Sequence, residues 1–174
     1  MNKQTKINKI FEYVSVLTGA VWLGAYITRM AVSYQLFDIK MNLKPYVNSQ
    51  NLNGILTTIA PAINITFIVY LLFIFSFTFY LATSKLNLKL NGWLFVIAII
   101  VYVTFPFEIY LMTFDYRIIQ SVYFSGSLND NQLLNLIKNR FTELNGFPII
   151  IILSYFVNVF FLLFKPLTAK NVTE

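Results

Sequence analysis

The strongest constraint on this chain is its hydropathy pattern: four apolar stretches, over residues 10–37, 54–83, 92–114 and 147–164, are separated by short polar segments. A helix needs about 20 mainly apolar residues to cross a bilayer. Within hydrocarbon it is also the simplest element that satisfies its own backbone polar groups. The pattern therefore predicts an all-α polytopic membrane protein, a four-transmembrane-helix bundle forming a single integral membrane domain over residues 1–174. Composition agrees: 57% of residues are hydrophobic and 11% charged, against about 25% charged in a soluble domain. The first stretch follows the basic start "MNKQTKINK". It is too long for the apolar core of a signal peptide and has no small-residue cleavage site after it, so we expect a retained helix.

An even number of spans puts both ends of the chain on one side. That side carries Lys3, Lys6, Lys9, Lys85, Lys89, Lys165 and Lys170 in short segments. The other side holds Lys40, Lys44, Arg117, Lys138 and Arg140, offset by Asp38, Asp115, Asp130 and Glu143 in longer loops. Basic residues in short loops mark the cytoplasmic face, so the expectation is a multi-pass protein of the cell inner membrane with cytoplasmic N- and C-termini. The net charge of +6 is explained by this topology and does not call for a nucleic-acid partner.

The long connection before the last span is patterned. Leu133, Leu136, Ile137, Phe141 and Leu144 recur at helical spacing, Asn129 or Asp130 can cap the start, and Asn145-Gly146 offers a left-handed stop. This predicts an amphipathic helix over about residues 130–144 in the outer loop, with Pro148 acceptable in the first turn of the span that follows.

Two ionisable residues lie well inside spans, Arg29 in the first and Glu108 in the third. If these spans run parallel and enter the apolar layer near Val14 and Gly92, a rise of about 1.5 Å per residue puts Arg29 roughly 22 Å and Glu108 roughly 24 Å along their helices. Equal depth makes them natural partners. A charge at mid-membrane costs about 2.5–3.5 kcal/mol on insertion scales. Opposite charges about 4 Å apart recover on the order of 4 kcal/mol at an effective dielectric near 20. We expect a polar pocket or structural ion pair around Arg29 and Glu108, completed by Tyr26, Asn64, Thr104 and Asn158, with Pro61 and Pro106 kinking the helices that line it. Asp115 and Arg117 are expected to form a rim ion pair or to contact lipid headgroups.

The chemistry available is narrow. With no Cys and no His, there is no thiolate nucleophile, no imidazole base and no imidazole or thiolate ligand for haem or zinc. The sequence also has no Gly-rich phosphate loop and no close pair of membrane carboxylates. No cofactor is expected, and the residues point away from an enzyme.

Trp22, Gly24 and Arg29 followed by "YQLF" at the end of the first span, with "RFTELNG" leading into the last, resemble the four-span membrane family that includes transmembrane protein 205. The likeness covers about a third of the chain and does not extend to the middle spans. The family has His where this chain has Asn145. The resemblance implies four helices and no established reaction. The expected function is then that of a non-catalytic integral membrane protein. Its partners would be the lipid bilayer and other membrane protein subunits, as an accessory or structural subunit of a larger inner-membrane complex. The alternative is a small transporter, channel or lipid-binding protein using the pocket around Arg29 and Glu108.

Overall fold

A computed structural model describes residues 6–48, 50–84, 86–125, 128–144 and 146–168. Lys3, Lys85, Lys170 and Asn145, which entered the reading above, lie outside the described residues. The chain is all-α: α1 (Lys6–Tyr34), α2 (Leu52–Thr83), α3 (Gly92–Gln120), α4 (Asp130–Thr142) and α5 (Phe147–Phe164). Four of these, α1, α2, α5 and α3 with the π-helical turn Ser121–Ser125 that continues it, are long and apolar enough to cross a membrane. Among the described residues β structure is limited to two isolated bridges, Phe37 with Leu43 and Asn91 with Thr168.

The helices form an up-and-down bundle whose register can be read from its contacts. Helices α1 and α2 are an antiparallel hairpin: Asn8 Nδ2 donates to the Tyr80 carbonyl (3.2 Å), Thr18 and Ser76 hydroxyls meet at 3.4 Å, and the Trp22 and Tyr70 rings lie 4.9 Å apart. Helix α3 runs parallel to α1, since Tyr26 meets Glu108 and Arg29 meets Asp115. Helix α5 returns antiparallel to α3, with the Phe107 and Phe147 rings tilted against each other at 4.5 Å and the Gly92 N–H donating to the Leu167 carbonyl at 3.0 Å. A Cβ at Gly92 would lie 2.8 Å from the Leu167 Cβ, so glycine is what lets the start of α3 approach this close. One end of the bundle therefore carries α4 and the segment 35–48. The opposite end carries the starts of α1 and α3 and the ends of α2 and α5.

Five boundaries differ from the sequence expectation, the start of α2 and the end of α4 by two residues each. Helix α1 begins at Lys6 and stops at Tyr34. Leu36 and Phe37 leave the helix and are buried in an apolar cluster with Leu56, Ile59 and Ile63 of α2, Ile118 of α3 and Leu133 and Ile137 of α4. Asp38 then accepts the backbone N–H groups of Lys40 and Asn42, both at 2.8 Å, a side-chain turn that stops the helix continuing. Helix α3 runs six residues past 114, because Asp115 is neutralised within the bundle. Helix α4 is capped as a reciprocal box: Asn129 Oδ1 accepts from the Gln132 N–H (2.9 Å) while the Asn129 N–H donates to Gln132 Oε1 (3.0 Å). Gly146, at φ +80°, supplies the left-handed residue between α4 and α5, and Pro148 sits in the first turn of α5.

Pro61 and Pro106 lie inside α2 and α3, and both side chains face outward from the bundle. They do not line its polar centre, contrary to the expectation from the sequence.

Candidate functional site: a closed charge cluster

The polar centre is built by three helices. Helix α1 supplies Tyr26 and Arg29, one turn apart. Helix α3 supplies Glu108 and Asp115, seven residues apart and so on one face. Helix α4 supplies Arg140. The charges alternate. Arg29 Nη1 donates to Asp115 Oδ2 at 2.9 Å, Arg140 Nε lies 3.2 Å from the same oxygen, and Arg140 Nη2 donates to Glu108 Oε1 at 2.5 Å. Tyr26 sits at the middle. Its hydroxyl donates to Glu108 Oε2 at 3.3 Å, and the Arg29 and Arg140 guanidinium carbons lie 5.7 and 5.6 Å from its ring centroid, within cation–π range.

All four charged side chains are at most 5% exposed. Two cations and two anions leave the cluster neutral, which is what permits burial of groups whose isolated transfer costs several kcal/mol each. Burial opposes the charge on Arg140, but the Asp115 and Glu108 carboxylates outweigh it, and its guanidinium is held above its ordinary pKa. The void beside the cluster, lined by Arg29, Ser33, Asp115 and Arg140, measures about 10 Å³, room for at most a single water.

Arg29 and Glu108 thus share one cluster without pairing directly. The depth count placed them level, and they are near neighbours, but it omitted the third helix. Arg140 occupies Glu108, and the long Arg29 side chain reaches Asp115 instead. The expected rim pair of Asp115 with Arg117 is not formed: Asp115 is 2% exposed within the cluster while Arg117 is exposed. Of the other expected members, Tyr26 is central. Thr104 is buried and donates back to the Ile100 and Val101 carbonyls of its own helix at 2.8 and 3.2 Å. Asn64 is half-buried and makes no hydrogen bond into the cluster. Asn158 lies toward the opposite end of the bundle, at a separate cavity.

Arg140 was the residue the sequence reading missed, and the signal was present. Leu133, Ile137 and Arg140 fall at i, i+4 and i+7, and these positions with Leu134 are the buried face of α4. An arginine continuing an apolar stripe, on a helix that covers a bundle containing unpaired acids, is a candidate for burial.

Below the cluster lies an aromatic layer. The Trp22 ring is within 4.6–6.4 Å of Tyr26, Tyr70, Phe73 and Tyr155, and Trp22 is fully buried. This layer separates the charges from the cavity at the opposite end. Among the described residues no group of His, Cys, Asp and Glu could hold a metal ion. Comparison with family models, curated proteins and solved structures finds no match.

Proposed function

We propose that this protein is a non-catalytic, multi-pass membrane protein in which the charge cluster is a structural clamp, and that it serves as an accessory subunit of a larger inner-membrane assembly. The observation that carries the reading is the closure of the cluster. Each of the four charges has a counter-charge within 3.2 Å, and the adjoining void is water-sized. A transport or headgroup site needs space and an uncompensated charge; here the charges balance, and although Arg140 Nε and Nη1 have no hydrogen-bond acceptor, the void beside them is water-sized, so the outer-pocket transporter reading is the weaker one. The bilayer itself is supported by the outward faces of all four long helices. Leu17 and Val21 on α1, Phe75 and Phe79 on α2, Phe95 and Val103 on α3, and Phe156 and Phe160 on α5 are each 41–58% exposed. In water such continuous apolar surface favours aggregation.

For orientation, Arg140 and Asp115 leave the loop count because they neutralise each other inside the bundle. The α4 side then has Lys40, Lys44, Arg117 and Lys138 as its cations, and the bias toward cytoplasmic termini stands. Membrane residence is tested by resistance to alkaline extraction from isolated membranes. The subunit role is tested by mild-detergent solubilisation and native mass measurement. A stable stoichiometric partner is the expected result, and a lone monomer from every detergent would overturn it.

A further inference from the structure

At the end of the bundle opposite α4, helices α1, α2, α3 and α5 enclose a cavity of about 280 Å³. An apolar protein cavity of roughly 150 Å³ already admits benzene, so this one has space for a ligand segment of about eleven heavy atoms. Its lining on α1 runs from Glu12 to Leu23, a length of about 16 Å. The walls from α2 and α3, among them Phe73, Phe77, Trp93 and Val101, are all buried. The lining residues Val16 and Ala20 of α1 and Val159 and Leu163 of α5 are exposed. The cavity therefore opens sideways, between α1 and α5, through the apolar flank of the bundle.

Glu12, Ser15, Tyr80, Tyr155 and Asn158 are the polar side chains on its wall, and of these Asn158 is the one whose donor and acceptor are both left over. Asn158 lines the cavity, is 8% exposed, and has no hydrogen-bond partner for either Nδ2 or Oδ1. A buried amide left unpaired costs about 1–3 kcal/mol, and with the wall mostly apolar a ligand group is a ready source of the missing bond.

We infer that this cavity binds a single hydrocarbon chain bearing a carbonyl, entering laterally between α1 and α5, with the Asn158 amide donating to that carbonyl. The inference rests on the reading that the four long helices lie in a bilayer, since the cavity opens onto the surface that would face lipid. Two sources carry this chemistry, the acyl ester of a membrane lipid and a free fatty acid.

Trp93, which is 4% exposed and forms part of the wall, provides a direct readout through its fluorescence. The full chain is reconstituted in lipid vesicles, with insertion checked separately by flotation. It is then titrated in one arm with a phosphatidylcholine brominated along one acyl chain and in the other with a brominated free fatty acid. Bromine quenches an indole only at contact. The expected result is saturable quenching in at least one arm, competed by the unbrominated compound and lost in Trp93→Phe. Whichever arm saturates at the lower concentration identifies the source. Ala20→Phe with Val159→Phe places two rings at the exposed mouth, away from the packed core, and should reduce the saturable component at least tenfold. Asn158→Leu should weaken the saturable binding severalfold. Quenching that grows linearly with bromine content in both arms and ignores the mouth substitutions would overturn the inference. So would an affinity unchanged by Asn158→Leu, which would remove the carbonyl contact. Failure of flotation would instead overturn the bilayer reading itself.

Discussion

The two ends of this bundle handle buried polarity in opposite ways. At the α4 end, four charges and a tyrosine hydroxyl meet at 2.5–3.3 Å and leave about 10 Å³ of space. At the opposite end, one amide stands unpaired beside a cavity of about 280 Å³. The full Trp22 layer lies between them. Charges that are mutually neutralised close a structure even where single donors, here Arg140 Nε and Nη1, lack a hydrogen-bond acceptor, because each charge would be left buried and uncompensated if another moved. A polar group left unsatisfied next to empty space does not hold the fold together, and it costs stability until something fills the site. The contrast favours a structural role for the first end and is the basis for the binding role proposed for the second.

The sharpest way to break the contrast is to remove the shared cation. Arg140→Gln takes away the counter-charge of Glu108 and one of the two serving Asp115, leaving net negative charge in the bundle. Removal of one partner from a buried ion pair costs about 3–5 kcal/mol, and thermal or denaturant unfolding in detergent should show a loss of that order. Replacing two opposite charges together, Arg140→Met with Glu108→Leu, should recover a large part of it, since apolar replacement of a buried pair is often near neutral. If Arg140→Gln left stability unchanged, the clamp would not exist.

A charge exchange separates a network from an isolated pair. Arg29→Asp and Asp115→Arg should each be strongly destabilising, by about 3 kcal/mol or more. In an isolated pair, combining them would restore the attraction. Here the exchanged arginine at position 115 would face Arg140, whose Nε lies 3.2 Å from the native carboxylate, so the double variant should stay close to the worse single one. Rescue by the exchange would show that Arg140 contributes little at Asp115. A smaller effect is expected of Tyr26→Phe, which keeps the ring between the two guanidinium groups and deletes only the 3.3 Å bond to Glu108. A loss of about 1–2 kcal/mol is expected by the same unfolding measurement.

How much of this was legible in the sequence follows from what each signal depends on. The long helices, the α4 cap at Asn129 and the turn at Gly146 depend on local periodicity and local hydrogen bonding, and they read directly. Arg29 and Glu108 stand out as charges in apolar runs for the same reason. Their partners depend on which helix lies across from them, and periodicity within one helix does not carry that information. Asp115 illustrates the difference. Placed near the end of an apolar run, it looks like a rim residue whose charge ends the span. It is buried because Arg140, 25 residues further along the chain, arrives from α4. Asn158 was legible as a polar residue within a span, but a cavity is a property of how four helices fail to fill the space between them, and no single segment encodes it.

The smallest expected effect sharpens the comparison most. Asn158→Leu deletes an amide that makes no hydrogen bond and adds apolar side chain beside a cavity. For a residue that stabilises the bundle, substitution inside it would cost one or more kcal/mol, as at Arg140. For an orphaned amide the sign reverses: relief of the desolvation penalty predicts unchanged stability, or a gain on the order of 1 kcal/mol, in the ligand-free protein in detergent. The same substitution is expected to weaken retention of a carbonyl-bearing chain. Because a ligand that binds only the folded state adds to stability in proportion to its affinity, saturating fatty acid should then stabilise the native protein more than the variant. The order of the two unfolding midpoints should therefore narrow or invert between ligand-free and ligand-saturated samples. A variant that is less stable than native under both conditions would place Asn158 with the structural residues and erase the distinction between the two ends.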